Sequence, residues 1–488
     1  MITQEDVPVA LTSDLPDLVT VEVGTVSPER FLALVSTDSA DELRRGLHLA
    51  HEAFDGRVIW NVNSTATGGG VAEMLQSLVP YARGAGVDAR WLVIQGEEEF
   101  FRITKRIHNR LHGAEGDGGP LGDAERDRYG EVLRVNAERL LQRVNPGDIA
   151  LLHDPQTAGL IPPLRARGLP VVWRCHVGVL DPNHYVREAW DFLRPFVRHA
   201  DAYVFSTHGF VWDGLDPSRL AIIAPSIDPF SPKNEEIGRE LGAAILHAAG
   251  ITIGDSSGQE PSFQRSDGSR AHVSHRSEVA EEAPLSPDTQ LVAQISRWDR
   301  LKDPEGVMQG FVDHVAPHTD AHLMLAGPSV AHVADDPEGL QVSQSIHAAW
   351  RALPARSRQR IHLVTLQMQD VEENAVTVNA LQRRADVVVQ KSLAEGFGLT
   401  VAEAMWKARP VVASRVGGIQ DQIEDGVTGS LIDPRDLSGF GDCVTRLLQD
   451  PAAAHAMGHA AQERVRNRFL GSRHLLQYLE LLSGLLNH

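Results

Sequence analysis

Val387-Val388-Val389-Gln390-Lys391-Ser392-Leu393-Ala394-Glu395-Gly396-Phe397-Gly398-Leu399-Thr400-Val401-Ala402-Glu403-Ala404-Met405-Trp406 reads as a strand, a glycine-flanked turn and a helix. The run Val387 to Val389 is short, β-branched and continuous, the pattern of a strand covered on both faces. Gly396 and Gly398 bracket a turn where the backbone bends sharply or lets a ligand approach. From Thr400 onward Val401, Ala404, Met405 and Ala408 recur at helical spacing. The free amides of a helix that begins after such a turn make a natural anion site. Glu395 falls in the turn and Glu403 inside the helix, so both could border one ligand. A carboxylate beside an anion site is unfavourable unless it binds hydroxyls, and sugar or ribose hydroxyls are donors that would satisfy it. In isolation the pattern also fits an ordinary α/β strand–turn–helix with a surface Glu pair.

Alternating apolar runs and helical stretches extend from here in both directions. Upstream of the quoted stretch lie Leu291 to Ile295, His322 to Ala326 and Ile361 to Val364; downstream lie Pro410 to Ala413 and Ser430 to Ile432. An earlier series has a short strand near Leu18 to Val23, then Val58 to Val62, Trp91 to Ile94, Ile149 to Leu152, Val171 to Trp173, Tyr203 to Phe205 and Ala221 to Ile223. Helical patterns such as Val71 to Ala85 and Tyr129 to Val144 separate the strands. Strands that alternate with helices imply parallel sheets covered on both faces, and two such series imply two Rossmann-like domains facing a central cleft. The expected division is an acceptor-side domain over 1–230, a linker over 231–287 with a polar, flexible insertion at about 254–284, a nucleotide-sugar-binding domain over 288–455, and C-terminal helices over 456–488.

The bulk numbers exclude several classes. The 488 residues carry 46 Lys and Arg against 65 Asp and Glu, a net charge of −19, so global attraction to nucleic acid or an anionic membrane is not expected. A phosphorylated ligand would need a local basic site. Two cysteines, Cys175 and Cys443, argue against a disulfide scaffold and fit a reducing compartment. The acidic start Met1-Ile2-Thr3-Gln4-Glu5-Asp6 lacks a signal pattern, and no apolar run nears the roughly 18 residues of a membrane span. A cytoplasmic protein is the expectation, with room for a homodimer. Among 22 histidines there is no H-E-x-x-H or paired ligand spacing, so neither a metal nor a resident cofactor is expected.

Three further loops carry chemistry. Gly68-Gly69-Gly70 follows a strand and opens a helix, where backbone amides favour phosphate, although neither G-x-G-x-x-G nor a P-loop lysine is present. In Ile295-Ser296-Arg297-Trp298-Asp299-Arg300-Leu301-Lys302-Asp303-Pro304 a strand ends, and Asp303 with Pro304 suits the cap and first position of a helix. Arg297 and Lys302 therefore share one loop at a strand's carboxyl end and together could neutralise a diphosphate. Asp154 and His176 lie at the ends of neighbouring strands, in His153-Asp154-Pro155 and Trp173-Arg174-Cys175-His176. Cys175 beside His176 is not a Cys–His nucleophile pair, because adjacent strand residues point to opposite faces.

The segment Glu395–Trp406 resembles the E-x7-E segment of retaining family 4 glycosyltransferases with the GT-B fold, and more narrowly the trehalose glycosyltransferring synthase group. Asn63-Ser64-Thr65-Ala66-Thr67-Gly68-Gly69-Gly70, the R-x4-K pair Arg297 and Lys302, Trp173-Arg174-Cys175-His176, Pro225-Ser226-Ile227-Asp228-Pro229 and the glycine turns at Gly417-Gly418 and Gly426 to Gly429 are similar to that group, over residues 56–250 and 288–480. The resemblance implies a retaining glucosyltransferase that makes trehalose reversibly from a nucleoside-diphosphate glucose and glucose. It implies that Arg297, Lys302 and the amides of Phe397, Gly398 and Leu399 hold the diphosphate, with Gly69 and Gly70 beside the ligand. Glu403 would hold ribose, Glu395 the donor sugar, His176 the donor and reacting groups, and Asp154 the acceptor. It also implies that the C-terminal helices cross back to the first domain and that domain closure excludes water. The residues after Ile361 to Thr365, Leu366 first, lie where the base is expected and select none among uracil, adenine and guanine. Two departures are the long polar insertion and Val177-Gly178-Val179-Leu180-Asp181-Pro182-Asn183, which borders the acceptor. Other readings on this scaffold are another small-molecule glycosyltransferase, a trehalose phosphorylase and a non-catalytic sugar-nucleotide sensor.

Overall fold

A computed structural model describes residues 15–67, 69–253, 258–330 and 337–486. The chain divides into two compact units, one comprising residues up to Pro225 together with those from Gly471 onward, the other Ser226–Leu470. No helix among the described residues is long and apolar enough to cross a membrane.

The first unit is built on a seven-stranded sheet of β1 (Val19–Val21), β2 (Val58–Asn63), β3 (Asp88–Val93), β4 (Ile149–His153), β5 (Val171–Cys175), β6 (Ala202–Phe205) and β7 (Leu220–Ile222), in the order β1-β3-β2-β4-β5-β6-β7. Only β1 runs antiparallel, at the edge beside β3. Strands β2, β4, β5 and β6 are buried along their whole length, which is why they read as largely apolar runs rather than alternating ones. Trp60, Val62, Leu152, Trp173 and Phe205 share one core with the helices that cover the sheet. The helices Thr37–Ala53, Gly70–Gly84 and Gly471–Leu486 belong to this unit.

The second unit repeats the plan. A hairpin of β8 (Ser262–Gln264) and β9 (Arg270–His272) precedes a seven-stranded sheet of β10 (Glu278–Ala280), β11 (Leu291–Ile295), β12 (His322–Pro328), β13 (Ile361–Leu366), β14 (Val387–Gln390), β15 (Val411–Ser414) and β16 (Ser430–Ile432), ordered β10-β13-β12-β11-β14-β15-β16. Again the single antiparallel strand, β10, lies at an edge. Strands β11 and β16 begin and end where the sequence pattern places them, and the helix expected after Asp303-Pro304 begins at Pro304.

In both sheets the strand order reverses beside the first long strand, between β2 and β4 and between β11 and β14. Loops leaving the two strands at such a switch point turn to opposite faces, and ligands bind in the crevice between them.

Residues 231–287, read from composition as a linker with a flexible insertion, are instead part of the second unit. The helix Arg239–Ala248 packs on the helix Val371–Arg384, the hairpin folds over the latter's start, and β10 joins the sheet. Ile245, Leu246, Ile251 and Leu285 are buried, and polar contacts hold the stretch that is short of aliphatics. Arg265 pairs with Asp370 and with Glu372 at 3.1 Å, the buried Glu373 accepts the Ser274 and His275 amides, and Glu281 meets the buried His362 at 2.6 Å. Residues 254–257 lie outside the described residues.

The first unit keeps a cavity of about 50 Å³, lined by Ile59, Leu78, Ala89, Leu475 and Leu479 among others, between its sheet and the helices Gly70–Gly84 and Gly471–Leu486. Ala89→Val should fill part of it and add about 1 kcal/mol of stability. Leu479→Ala should enlarge it at a cost of about 3 kcal/mol. Calorimetric midpoints read both; an Ala89→Val midpoint below wild type would mean that the void has no room for the added methyl groups.

Candidate active site

The second unit carries a polar constellation at its switch point, and the first unit carries one at the neighbouring ends of β4 and β5. In the second unit, Arg297 and Lys302 stand on the loop after β11, and Glu395 stands on the loop after β14. Lys302 Nζ lies 2.5 Å from Glu395 Oε2, and both side chains are largely buried, 15% and 11% exposed. Ser392 Oγ donates to the same carboxylate oxygen at 3.2 Å. A second pair crosses in the opposite sense: Lys391, on the β14 loop and buried, contacts Asp303 on the β11 loop. The Leu393 amide donates to the Leu301 carbonyl at 2.7 Å, and Gln294 Nε2 to the Lys302 carbonyl at 2.7 Å. Asp303 sits in the left-handed region (φ 48°, ψ 50°), where its carboxylate accepts the Gly306 amide at 3.1 Å and caps the helix that Pro304 begins. Arg297 is separate from this knot. Its side chain is 70% exposed, with Asp299 as partner at 3.4 Å.

The anion-binding turn has a built backbone. Gly398 adopts φ 83° and ψ 58°, which lets the helix Leu399–Trp406 start directly behind the turn. A neighbouring loop braces it. The Gly418 amide donates to the Gly396 carbonyl at 2.7 Å, and Gln422 Nε2 donates to the carbonyls of Phe397 at 2.5 Å and Gly398 at 3.2 Å. A Cβ at Gly417 would stand 1.8 Å from the Glu395 carbonyl oxygen, so only glycine permits this approach. The helix thus presents its unpaired first amides beside Lys302 and Glu395.

Glu403 is placed differently from Glu395. It is buried in the helix, with Lys233 Nζ 3.3 Å from Oε1 and Gln382 Nε2 3.5 Å from Oε2. Behind it Lys407 donates to the Glu403 carbonyl and to Asn234 Oδ1, and burial pushes its ammonium down to about 7. The two glutamates of the E-x7-E segment therefore answer different cations. Lys233, Lys391 and Asp303 are members of the site that sequence reasoning misses. In sequence the two lysines are isolated charges whose partners lie far along the chain, and Asp303 reads only as a helix cap.

In the first unit, β4 ends in His153 and Asp154, and β5 ends in Arg174, Cys175 and His176. Asp154 takes φ 63° and ψ 176°, a region that residues with a Cβ rarely occupy, at a strain of about 1–3 kcal/mol. Its surroundings hold it there. The Asp154 amide donates to the Arg174 carbonyl at 2.7 Å, its carbonyl accepts Trp173 Nε1 at 3.1 Å, and its carboxylate accepts the His176 amide at 2.8 Å. Asp154 and His176, singled out separately in the sequence, are thus brought together. Burial pushes the Asp154 carboxyl up to about 6, against the pull of the His176 amide and Arg174. Burial and Arg174 hold the His153 imidazole down to about 3 and the His176 imidazole well below its ordinary value. Cys175 is buried with its thiol on the Val177 carbonyl, and burial pushes it up, so it is no nucleophile. Gly69 and Gly70 open the helix Gly70–Gly84 after β2, while Gly68 lies outside the described residues. Asn61, Arg174, His474 and Tyr478 complete the cluster. Their signal in the sequence is polarity inside apolar strands, as at Asn61 and Arg174; the partners His474 and Tyr478 lie about three hundred residues away.

Comparison with known proteins agrees with this architecture. Residues 61–212 match the family model for the N-terminal domain of trehalose synthase, and residues 276–464 match that for glycosyl transferases group 1. A trehalose synthase of Pyrococcus horikoshii is 36% identical over 89% of this chain and 91% of its own length. A trehalose phosphorylase of Grifola frondosa is 26% identical, over 83% of this chain and 54% of its own. Among solved structures, an α,α-trehalose-phosphate synthase (UDP-forming) of Burkholderia xenovorans, in complex with glucose-6-phosphate, aligns at a TM-score of 0.63 with 16% identity, covering 88% of this chain and 100% of that one. That likeness shows the GT-B fold.

The raised Asp154 carboxyl has a thermodynamic signature. Its folded value of about 6 lies above the ordinary 3.8, so between them the folded chain holds a proton that the unfolded chain has released. The stability this proton carries is complete below about pH 4 and is lost as pH rises through about 6. Asp154→Asn removes the titration but keeps the acceptor for the His176 amide. The stability of wild type relative to the variant should therefore fall by about 2 kcal/mol between pH 4 and pH 7, read by chemical denaturation. A difference that stays flat with pH would show that the carboxyl titrates at its ordinary value.

Proposed function

Because this chain belongs to the trehalose synthase family of glycosyltransferases, we propose that it moves glucose from a nucleoside-diphosphate glucose to glucose, forming trehalose reversibly and with retention at the anomeric carbon. The observation that carries the reading is the Lys302–Glu395 pair at the switch point of the second sheet, set against the first amides of the helix Leu399–Trp406. Breaking the anomeric C–O bond drives negative charge onto the departing diphosphate. Lys302, the exposed Arg297 and the amides of Phe397, Gly398 and Leu399 are donors of the kind that charge needs, and those of the braced turn are already oriented. Glu395 would exchange part of its hold on Lys302 for donor-sugar hydroxyls as the phosphate takes up the ammonium. Glu403 would serve the ribose hydroxyls, with Lys233 as its partner when no ligand is there.

In the first unit Asp154 would accept from hydroxyls of the acceptor, His176 would orient the donor sugar, and Gly69 and Gly70 would offer backbone to a ligand. No side chain of either constellation is poised as a nucleophile. That suits same-face attack, in which the departing phosphate helps to take the acceptor's proton. Exclusion of water would protect the donor from hydrolysis.

A panel of UDP-, ADP- and GDP-glucose with glucose as acceptor, read by NMR, should give an α,α-linked disaccharide with at least one donor. Donor consumption without trehalose would move the search to another acceptor. Robust phosphate-dependent cleavage of trehalose without nucleotide would replace the reading with a phosphorylase. Lys302→Ala and Glu395→Ala should each lower kcat by about 10²-fold or more while circular dichroism stays unchanged. Near-normal turnover in both would refute the site.

A further inference from the structure

Arg174 is a fully buried guanidinium with every arm engaged inside the first unit. Its Nη1 donates to Tyr478 Oη at 2.6 Å and lies 3.4 Å from His474 Nε2, its Nη2 donates to the Ile223 carbonyl at 3.1 Å, and the Tyr478 ring stacks on it at 5.5 Å. Its remaining donor, Nε, stands against the His176 ring, 3.2 Å from Nδ1 and 3.1 Å from Nε2. On the other side His176 Nε2 lies 3.2 Å from His153 Nδ1, and His153 Nε2 lies 3.5 Å from Asn61 Oδ1.

With Asn61 presenting its Oδ1 to His153, these contacts fit one set of protons. Asn61 Oδ1 can only accept, so His153 Nε2 carries a hydrogen and His153 Nδ1 keeps its lone pair. That lone pair takes a hydrogen from His176 Nε2. Arg174 has no lone pair to offer, so His176 Nδ1 is left as the acceptor for Arg174 Nε–H. We infer that Arg174, His153 and Tyr478 are positioning residues: Tyr478 accepts from Arg174 and holds its guanidinium, and one directed chain from Arg174 through His176 and His153 to Asn61 fixes His176 as a neutral imidazole with its proton on Nε2. The groups that face the ring from the packed elements are His153 and Asp154 of the β4 end, Arg174 of β5, and His474 and Tyr478 of the helix Gly471–Leu486. The guanidinium lies against the ring and opposes a second proton, while the Asp154 carboxyl, which ionises at about 6, is held on the His176 backbone amide. The ring therefore offers a sugar oxygen only the Nε2 hydrogen, shared with His153 or taken over from it, and serves neither as a cation nor as a general base. This deepens the role proposed for His176 and rests on it, but the state of the ring can be measured without turnover.

The full chain labelled with 15N-histidine, with His176→Gln to assign the signal, gives the ring state directly. His176 and His153 should both show protonated Nε2 and bare Nδ1 from pH 8 down to pH 5.5. A His176 ring protonated at Nδ1, or one that becomes imidazolium in that range, overturns the inference. For activity, His153→Phe keeps a ring without the acceptor, and His153→Asn restores an oxygen near the Nδ1 position. The Phe variant should lose about tenfold in kcat with little change in donor KM, and the Asn variant should recover most of it. Equal loss in both, or none in either, overturns it. Tyr478→Phe deletes only the hydroxyl and is the mildest probe; it should lower kcat several-fold with the unfolding midpoint nearly kept, and unchanged kcat counts against the chain. If wild type makes no trehalose, the proposed function fails while the spectra still decide this inference.

Discussion

Two lysines with crossed carboxylate partners tie the loops after β11 and β14: Lys302 reaches from the first loop to Glu395 on the second, and Lys391 reaches back to Asp303. An ammonium taken out of water must be answered, and removing one partner of such a buried pair costs about 3–5 kcal/mol. The pairs can form only if β11 and β14 are neighbours, so the reversal of strand order and the charges on its loops require one another. Residues farther along the chain serve the same knot. Gly417 and Gln422 hold the turn that carries Glu395, and Asp303 both answers Lys391 and caps the next helix.

The constellation of the first unit is built on the opposite principle. There the strand ends carry neutral imidazoles, a single guanidinium and one carboxyl, and burial shifts the titrating groups toward their uncharged forms. One site is organised by charge pairs that a phosphate could exchange, the other by fixed donors and acceptors suited to hydroxyls. A net charge of −19 does not oppose the anionic donor proposed for this chain, because the cations of the second unit are local and held at short range.

Strands buried on both faces leave a one-dimensional mark, and that mark made the two sheets legible in the sequence. Val387 to Val389 is a continuous β-branched run, Leu291 to Ile295 and Ser430 to Ile432 are aliphatic but for Gln294 and Ser430, and each is a strand. The Asp303-Pro304 cap and the glycines of the Glu395 turn are readable for a local reason, since capping and positive φ are decided within a few residues. The segment 258–284 misleads because a scarcity of aliphatics looks like disorder. Its order comes from Arg265, Ser274 and His275 meeting carboxylates about a hundred residues ahead. The Lys233–Glu403 contact and the cluster around Arg174 escape for the same reason. No local pattern announces an acceptor 304 residues away.

The first unit is discontinuous in the chain, closing only with the helix Gly471–Leu486. During synthesis its sheet emerges early, but the residues that cover the helix Gly70–Gly84 and receive the Arg174 guanidinium come after the whole second unit. At about 5–20 residues per second that interval lasts some tens of seconds, longer than most folding events in a domain. The second unit can therefore be complete while the first still exposes an apolar face and an unanswered buried cation. Its final helix acts as a late-arriving seal, and the site around His176 assembles last.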